Sequence, residues 1–138
     1  GAWFSAAVPG WVRARMEAAL AELLALADSD QGWEPHGASH GVALHQRPGA
    51  LVACRGRGVV HFPPELVFQW IYRADAMAQY DTQLEAVERV QFYDPHNDHS
   101  HFRYHRVWPT APRDISLANH WRTVPPAPRA GGGGDGGG

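Results

Sequence analysis

Hydrophobic residues recur at helical spacing over residues 11–27. Val12, Met16 and Leu20 follow one another at intervals of four positions, and charged side chains lie between them. This spacing places the apolar side chains on one face of an α-helix. The pattern therefore predicts an amphipathic helix over 11–27, which the turn-forming residues 28–32 end.

Alternating apolar and polar residues then indicate three strands, followed by a second helix. The alternation predicts a short strand at 33–34, a strand at 41–47 and a longer strand over 50–62, in which two glycines indicate a bend. A Pro-Pro pair follows, and proline is tolerated in the first turn of a helix. The apolar spacing after it predicts one continuous helix over 63–79.

Three further strands are predicted over 84–93, 99–107 and 115–124. Residues 94–98 include Asp, Pro and Asn, which favour a hairpin turn between the first two of these strands. The elements then run helix, three strands, helix, three strands. This order predicts an α+β fold built on antiparallel meanders.

Residues 125–138 differ in composition from the rest of the chain. They are mainly proline and glycine, and they end in a glycine run with one aspartate in it. Such a segment cannot bury enough apolar surface to offset the entropy of ordering it. We expect one folded domain over 11–124 and a disordered Pro/Gly-rich tail over 125–138.

Charge and cysteine content narrow the class of protein. The net charge is −2, and all twelve Lys-or-Arg positions are arginine. This balance argues against a nucleic-acid partner. Cys54 is the single cysteine, which excludes an internal disulfide and predicts a buried, inert thiol in a reducing compartment. We also find no apolar run of membrane-spanning length and no signal peptide, and we expect a cytoplasmic protein.

The nine histidines raise the possibility of a metal site. His99, His101 and His105 alternate along a predicted strand, and His96 lies in the turn before them. Alternate histidines on a strand can hold zinc, but His99 and His105 lie about 20 Å apart along an extended chain. Motifs for phosphate binding, a serine nucleophile or paired catalytic carboxylates are lacking. We expect no metal, no cofactor and no enzymatic activity.

Residues 104–114 predict a strand that runs into a stiff loop. Pro109 directly follows Trp108, and proline restricts both its own backbone and that of the preceding residue. A large amphipathic ring on such a loop can meet a lipid interface or fill the core beneath the loop. Arg113 and Asp114 open the next strand, and we expect this pair to be structural.

Asn119 lies on the apolar face of the last predicted strand, together with Ile115, Leu117 and Trp121. A polar amide on that face needs a hydrogen-bond partner. The partner is either a bound ligand or a neighbouring group of the protein, and most buried amides are satisfied within the protein. Asn119 is therefore a candidate ligand contact with an open structural alternative.

The order and motifs of these elements resemble the START (StAR-related lipid transfer) domain. The resemblance extends over residues 11–124 and is greatest to the ceramide-transfer and phosphatidylcholine-transfer types. The segments that carry it are Gly32-Trp33-Glu34 after the first helix, Gly41 to Arg47, Gly56 to Val60, Pro63-Pro64, Tyr80-Asp81, and Arg106 to Pro109 with Arg113-Asp114.

The START resemblance implies a helix-grip fold, in which a curved antiparallel sheet wraps a C-terminal helix and one lipid lies between them. It also implies a monomeric lipid-binding or lipid-transfer module at the periphery of cytoplasmic membranes. The lipid would be a sphingolipid, a phospholipid or a sterol. The predicted elements stop after 115–124, so we expect the C-terminal gripping helix to be absent and the groove to be open.

The resemblance to ceramide-transfer domains also implies positions for lipid contacts. An acidic residue after an aromatic one contacts the lipid there, and Asp81 occupies that place. Met77 stands one helical turn earlier, where that type has an arginine, and Phe102 stands where it has a polar residue. Trp108 keeps the loop tryptophan that contacts the membrane. With Asn119, these residues form the predicted lipid-binding set.

Two other functions fit the same predicted fold. Helix-grip architecture also serves small hydrolases, and some thioesterases carry a START domain as an appendage. An enzyme would need a positioned acid–base pair in the groove, and the sequence shows no convincing one. Alternatively, the chain is a fragment of a larger protein that binds nothing by itself.

Overall fold

The computed structural model describes residues 3–126 of the 138-residue chain. The predicted tail from residue 127 onward lies outside the described residues. Within this range the elements are α1 (Gly10–Asp28), β1 (Glu34–Ser39), β2 (Val42–Arg47), β3 (Ala53–Arg57), α2 (Pro64–Tyr72), α3 (Ala74–Tyr80), β4 (Leu84–Asp94), β5 (Asn97–Tyr104) and β6 (Arg113–His120). Of the helices described, none is long and apolar enough to cross a membrane.

Helix α1 matches the predicted helix to within one residue at each end. One face of its N-terminal half is buried, because Val12 and Met16 pack with Val8 from the preceding segment. Phe4 and Tyr93 lie against this cluster. The leucines of the C-terminal half are half-buried or exposed. The core therefore lies where the first half of α1 meets the N-terminal segment and the end of β4.

The C-terminal end of α1 is held by two arginines of β3. Helix ends leave backbone carbonyls without intrahelical donors. Arg55 Nη1 donates to the carbonyl oxygens of Leu26 at 3.1 Å and Ser29 at 2.8 Å. Arg57 adds an ion pair with Asp30 at 3.0 Å. The Arg-Gly-Arg-Gly segment of the sequence thus joins α1 to the first sheet.

The first sheet has the antiparallel strand order β1-β2-β3. Its edge strand β3 has five residues and is much shorter than the predicted strand over 50–62. A Cβ at Gly56 would lie 3.0 Å from Val42 Cγ1, and one at Gly58 would lie 3.2 Å from Val42 Cγ2. These glycines therefore leave room for the valine. Cys54 is exposed on the edge strand, so the prediction of a buried thiol is wrong.

Two short helices replace the single helix predicted over 63–79. Arg73 separates α2 from α3, with an extended backbone at φ −75° and ψ 125°. Its N–H donates to the carbonyl oxygen of Gln69 at 3.1 Å, which ends α2. Its side chain pairs with Asp75 in the first turn of α3. Apolar spacing continues across this break, so periodicity alone does not reveal it.

The second sheet has the antiparallel order β4-β5-β6. The turn between β4 and β5 is tighter than predicted, because Asp94 pairs with Asn97. The Asp94 carboxylate closes the turn by accepting the His96 backbone N–H at 2.8 Å and the Asn97 side-chain amide at 2.7 Å. Asn97 and Asp98 are consequently buried strand residues, with 0% and 4% exposure, and not turn residues.

The two faces of the second sheet carry different side chains. On the outer face, directed away from α2 and α3, His99 contacts the Ser116 hydroxyl. On the same face, His101 Nε2 lies 2.7 Å from Asp114 Oδ2. Successive residues of a strand point to opposite faces. The intervening positions therefore form an inner face directed towards α2 and α3.

Candidate functional site

A cavity of about 490 Å³ lies between the α2–α3 junction and the inner face of the second sheet. The two helices form one wall and the three strands form the other. The helical wall consists of Tyr72, Arg73, Ala74, Asp75 and Met77, and the strand wall of Val87, Arg89, Asp98, Ser100, Phe102 and Asn119. The cavity therefore forms only when these two separate segments of the chain fold against each other.

Strand register brings the sheet residues of the cavity together. Paired side chains on one face of an antiparallel sheet have Cβ atoms about 5 Å apart. Three such pairs lie on the inner face: Val87 with Phe102, Arg89 with Ser100, and Asp98 with Asn119. The cavity consequently has a polar end near Asn119 and an apolar end near Phe102.

The Asp98 carboxylate is the centre of the polar end. Its Oδ1 accepts hydrogen bonds from Asn119 Nδ2 at 2.7 Å and Ser100 Oγ at 3.0 Å. Its Oδ2 accepts from the Tyr72 hydroxyl at 3.1 Å, and Arg89 Nε lies 3.6 Å away. A buried charge is tolerated only where hydrogen bonds and an opposite charge compensate its desolvation. Three donors and one guanidinium supply that compensation here.

Tyr72 acts as a fixed hydrogen-bond donor to this carboxylate. Burial and, after it, the negative charge of Asp98 raise the pKa of Tyr72 to about 12, so the phenol keeps its proton at neutral pH. The Tyr72 ring stacks on Phe68 with centroids 5.2 Å apart, and Phe68 lies 4.7 Å from Trp121. This aromatic packing holds α2 against the end of β6 and positions the hydroxyl.

The apolar end continues beyond the cavity as an exposed surface. Met77, Val87 and Phe102 line the cavity itself. Ile115 and Leu117 extend the same inner face along β6, with 44% and 41% exposure. A contiguous apolar surface beside a cavity is typical of a site for an apolar ligand or partner.

Three of the five residues predicted to contact lipid line this cavity, namely Met77, Phe102 and Asn119. Asn119 also has a hydrogen-bond partner within the protein, because its Nδ2 donates to Asp98 on the neighbouring strand. This bond orients the amide and keeps it at the cavity wall. Contact of these three side chains with a lipid stays a prediction.

Asp81 lies outside the cavity lining, at the end of α3. Its backbone N–H donates to the carbonyl oxygen of Met77 at 2.8 Å. Its Oδ1 accepts the backbone N–H of Gln83 at 3.1 Å, which is the usual arrangement of an aspartate in a turn. The predicted contact between Asp81 and a lipid stays a prediction.

Trp108 lies in the loop between β5 and β6, away from the cavity lining. The residue is 82% exposed, so it does not fill the core beneath the loop. The N–H of Thr110 donates to the carbonyl oxygen of Val107 at 2.7 Å, and the Trp108–Pro109 peptide bond is cis. The contact between this ring and a membrane stays a prediction.

Arg113 and Asp114 form the start of β6. Asp114 binds His101 across the outer face, and Arg113 stands opposite Tyr104 in the strand register. Asp114 thus joins the start of β6 to β5 through His101. Neither residue lines the cavity between the helices and the second sheet.

Three central residues of the site, Asp98, Tyr72 and Arg89, are not predicted from the sequence. Asp98 is assigned to the hairpin turn on the sequence pattern, because Asp is common in turns. The signal that identifies it as a strand residue is the alternation of Asp98, Ser100 and Phe102, which continues the strand pattern towards the turn. Tyr72 and Arg89 carry no local signal, since their role depends on helix packing and strand register.

The histidines are placed apart from this cavity. Within residues 3–126, no three His, Cys, Asp or Glu side chains are grouped so as to hold a metal ion. His99 and His101 are engaged with Ser116 and Asp114 on the outer face.

Solved structures of known proteins share this arrangement of elements. No family model matches the sequence, and no curated protein matches it. The StAR-related lipid transfer protein from Xanthomonas axonopodis matches with a TM-score of 0.60 at 18% identity, over 68% of this chain and 54% of that chain. The fold is that of a START domain.

Two human START structures match as well. The TM-score is 0.65 to human StAR-related lipid transfer protein 5, at 21% identity over 86% of this chain and 67% of that chain. The TM-score to the lipid transfer and protein localization domain of human StarD13 is 0.61, at 15% identity over 86% of this chain and 58% of that chain. These likenesses confirm the predicted helix-grip α+β fold. The chain spans little more than half the length of the bacterial START structure.

Proposed function

We propose that this START-fold chain is a monomeric lipid-binding or lipid-transfer module that holds one lipid in the cavity and its apolar extension. The observation that carries the proposal is the division of one cavity into a polar end, at Asp98 and Asn119, and an apolar end, at Val87 and Phe102. A membrane lipid is divided in the same way. The structural neighbours are named lipid transfer proteins, which supports the same class of ligand.

The charges around the cavity favour a lipid with an uncharged head group. Arg89 compensates Asp98, and Asp75 compensates Arg73 at the cavity rim. A lipid phosphate would approach the Asp98 carboxylate, and like charges repel strongly where water is partly excluded. A hydroxyl or amide group can instead exchange hydrogen bonds with Asn119 and its neighbours. We therefore favour a sterol or a ceramide-type sphingolipid over a phospholipid.

Burial of hydrocarbon supplies the affinity in this proposal. Each CH₂ group that moves from water into an apolar site contributes about 0.8 kcal/mol. Ile115 and Leu117 are half exposed, so a lipid lying along them would keep part of its chain in water. The proposal therefore includes a further covering segment, in the place of the gripping helix, that completes the groove in the functional protein.

Trp108 supplies the proposed transient contact with a cytoplasmic membrane surface. Its ring is exposed on a loop closed by Thr110 and bounded by two prolines. Tryptophan partitions favourably to the lipid–water interface, because its ring is apolar and its N–H finds polar partners there. Docking of this loop would bring the module to the membrane from which the lipid is taken.

A cavity-filling substitution tests the proposed binding site. Val87→Trp places a large ring at the apolar end of the cavity. It should abolish the uptake of lipid by the purified chain from mixed vesicles that contain cholesterol, ceramide and phosphatidylcholine. The measurement is the amount of lipid per chain, and its identity, after the protein is separated from the vesicles. We expect a stoichiometry of no more than one for the unaltered chain.

Val90→Trp is the matched control for this experiment. Val90 lies on the same strand, is 55% exposed and does not line the cavity, so the same substitution there should leave uptake unchanged. Equal uptake by the Val87 and Val90 variants would place the lipid elsewhere. Absence of lipid from the unaltered chain and from a chain extended to cover the groove would overturn the proposal.

The proposed activity is binding without catalysis. The Ser100 hydroxyl already donates to Asp98, and no histidine is among the residues that line the cavity in the described part of the chain. A serine hydrolase would need a base free to take the proton of that hydroxyl, whereas the Asp98 carboxylate is already engaged by Tyr72, Asn119 and Arg89. Hydrolysis of an acyl thioester that persists through purification and is lost in Asp98→Asn would favour the hydrolase alternative.

A further inference from the structure

The N-terminal segment, residues 3–8, packs on the outer face of the second sheet, opposite the cavity. The backbone N–H of Ser5 donates to Asp94 Oδ2 at 2.9 Å. The Nδ2 of Asn97 donates to the carbonyl oxygen of Trp3 at 2.8 Å. Two side chains at the turn between β4 and β5 therefore hold the backbone of this segment.

A histidine at the end of β6 completes the docking site. His120 stands opposite Asn97 in the register of β5 and β6. The Phe4 ring stacks on the His120 ring, with centroids 4.5 Å apart and planes inclined by 12°. The imidazole thus lies between the sheet and the docked segment.

The hydrogen bonds of Asn97 determine which nitrogen of His120 carries the proton. Asn97 Nδ2 contacts the Trp3 carbonyl oxygen and the Asp94 carboxylate, and both of these groups accept only. The Asn97 Oδ1 therefore faces His120 Nδ1, at 2.8 Å, and Nδ1 must be the donor. The neutral ring then has a lone pair on Nε2. That atom is buried and has no hydrogen-bond partner within residues 3–126.

Protonation of Nε2 would place a charge and an unpaired donor under the docked segment. A buried charge without a partner is strongly destabilising. Burial, and next the positive charge of Arg122, lower the pKa of His120 from its ordinary value of 6.5, and Glu17 opposes this effect. The charged and titratable groups that surround the ring are Arg122, His96, Asp94, Glu17 and, over the ring of Phe4, Arg13.

The two acids in this set offset a charge on His120 only in part. Asp94 already accepts from Ser5, His96 and Asn97. Glu17 pairs with Arg122 at 3.1 Å. Each carboxylate is therefore occupied by other donors when the segment is docked.

We propose that residues 3–5 of this segment form a latch on the outer face, that protonation of His120 in mildly acidic conditions releases it, and that Val8 stays in the core. The docked state favours neutral His120, so a proton binds more tightly once the segment has left. Docking is consequently strongest above the ordinary pKa of histidine and weakens as the pH falls below it. The latch does not require that the cavity bind lipid.

Release of the latch would act on the wall of the cavity. Asn97 with His120 and Asp98 with Asn119 are successive pairs of the same two strands, directed to opposite faces. The outer pair supports the segment, and the inner pair forms the polar end of the cavity. The latch thus lies directly behind the proposed head-group contacts.

Backbone hydrogen exchange measured by NMR tests the proposal on the 138-residue chain. Between about pH 7.5 and about pH 5, the protection of the Ser5 amide, which donates to Asp94, should fall severalfold. The amides of β4 and β5 should keep their protection over the same range. In His120→Asn, whose amide nitrogen takes the position of Nδ1 and can donate to Asn97 but does not titrate, protection of Ser5 should become independent of pH.

His99→Gln is the control, because His99 lies on the same outer face without touching the segment, and it should retain the pH dependence. A Ser5 protection that stays constant with pH in the unaltered chain would overturn the latch. A pH dependence that persists in His120→Asn would also overturn it. If that variant does not fold, an NMR titration of the His120 ring in the unaltered chain tests the proposal instead. The proposal expects a His120 pKa below the ordinary value, and a pKa at or above that value would contradict it.

Discussion

At the scale of single residues, the buried Asp98 carboxylate is the common hydrogen-bond acceptor of the site. Tyr72 comes from α2, Arg89 from β4 and Asn119 from β6, and each is directed at the same two oxygens. No two of these elements are adjacent in sequence. The carboxylate is therefore compensated only in the folded state, and loss of one donor removes a hydrogen bond to a charged group, at a cost of about 1.5–3 kcal/mol.

Trp108→Ala is the prediction that belongs to this scale. The ring is 82% exposed, so its removal should leave the free energy of unfolding within about 0.5 kcal/mol of the original value. Sedimentation with phosphatidylcholine vesicles should show several-fold weaker binding, because the interfacial ring is lost. Trp11→Ala is the matched control, since Trp11 is 73% exposed on α1. Equal loss in both variants would argue against a specific role for the loop.

At the scale of elements, α1 connects the two sheets. Its first half packs in the core and contacts β6, and its last turn accepts hydrogen bonds from the arginines of β3. The guanidinium of Arg55 also lies 4.4 Å from the ring centroid of Trp33, just before β1. Such stacking adds a cation–π attraction to the hydrogen bonds. The position of the first sheet therefore depends on a few polar contacts and not on a shared core.

Arg55→Gln should loosen the first sheet while leaving the second sheet intact. The Arg55 side chain is 10% exposed and that of Arg57 is 45% exposed, so the inner hydrogen bonds are the less screened. We expect the free energy of local opening in β2 and β3 to fall by about 1–3 kcal/mol, measured by hydrogen exchange. Arg57→Gln should have a clearly smaller effect. Equal protection of β2 in the unaltered chain and the Arg55 variant would show that the Arg55 hydrogen bonds to the end of α1 are not needed to hold the first sheet.

At the scale of the whole molecule, the ionised Asp94 carboxylate at the β4–β5 turn makes the free energy of unfolding depend on pH in the acid range. Burial acts to raise the pKa of Asp94, but hydrogen bonds from Ser5, His96 and Asn97 outweigh it and lower the pKa to about 2. A carboxyl group whose folded pKa lies below its unfolded value stabilises the fold above the unfolded value. That contribution is lost as the pH falls from about 4 towards about 2.

Urea unfolding over this acid range tests the role of Asp94. The unaltered chain should lose stability steeply between about pH 4 and about pH 2, and Asp94→Asn should start from lower stability at neutral pH and change less. Asp28→Asn, at an exposed position at the end of α1, should follow the unaltered chain. Parallel curves for Asp94→Asn and the unaltered chain would place the acid sensitivity in other carboxylates.

Periodicity along the chain is sufficient to predict most of the fold. The period of α1 and the alternation in β4, β5 and β6 predict these elements, because side chains at helical spacing share one side of a helix and alternate side chains share one face of a strand. The predicted strand over 50–62 is too long, because its apolar residues after Arg57 leave the sheet and lie exposed instead. The helix break at Arg73 is not predicted either, since it lies within a segment whose apolar spacing continues.

The sequence by itself determined the order of the strands, the α+β class and the strand face of Asn119, because these follow from which neighbours share a face. Met77 and Phe102 were predicted from the START resemblance instead. The tertiary structure decided where the polar groups meet. Asp98 became the centre of the site only when the turn closed at Asn97 and placed it opposite Asn119. Strand register and helix packing depend on contacts between distant segments, and local patterns do not encode them.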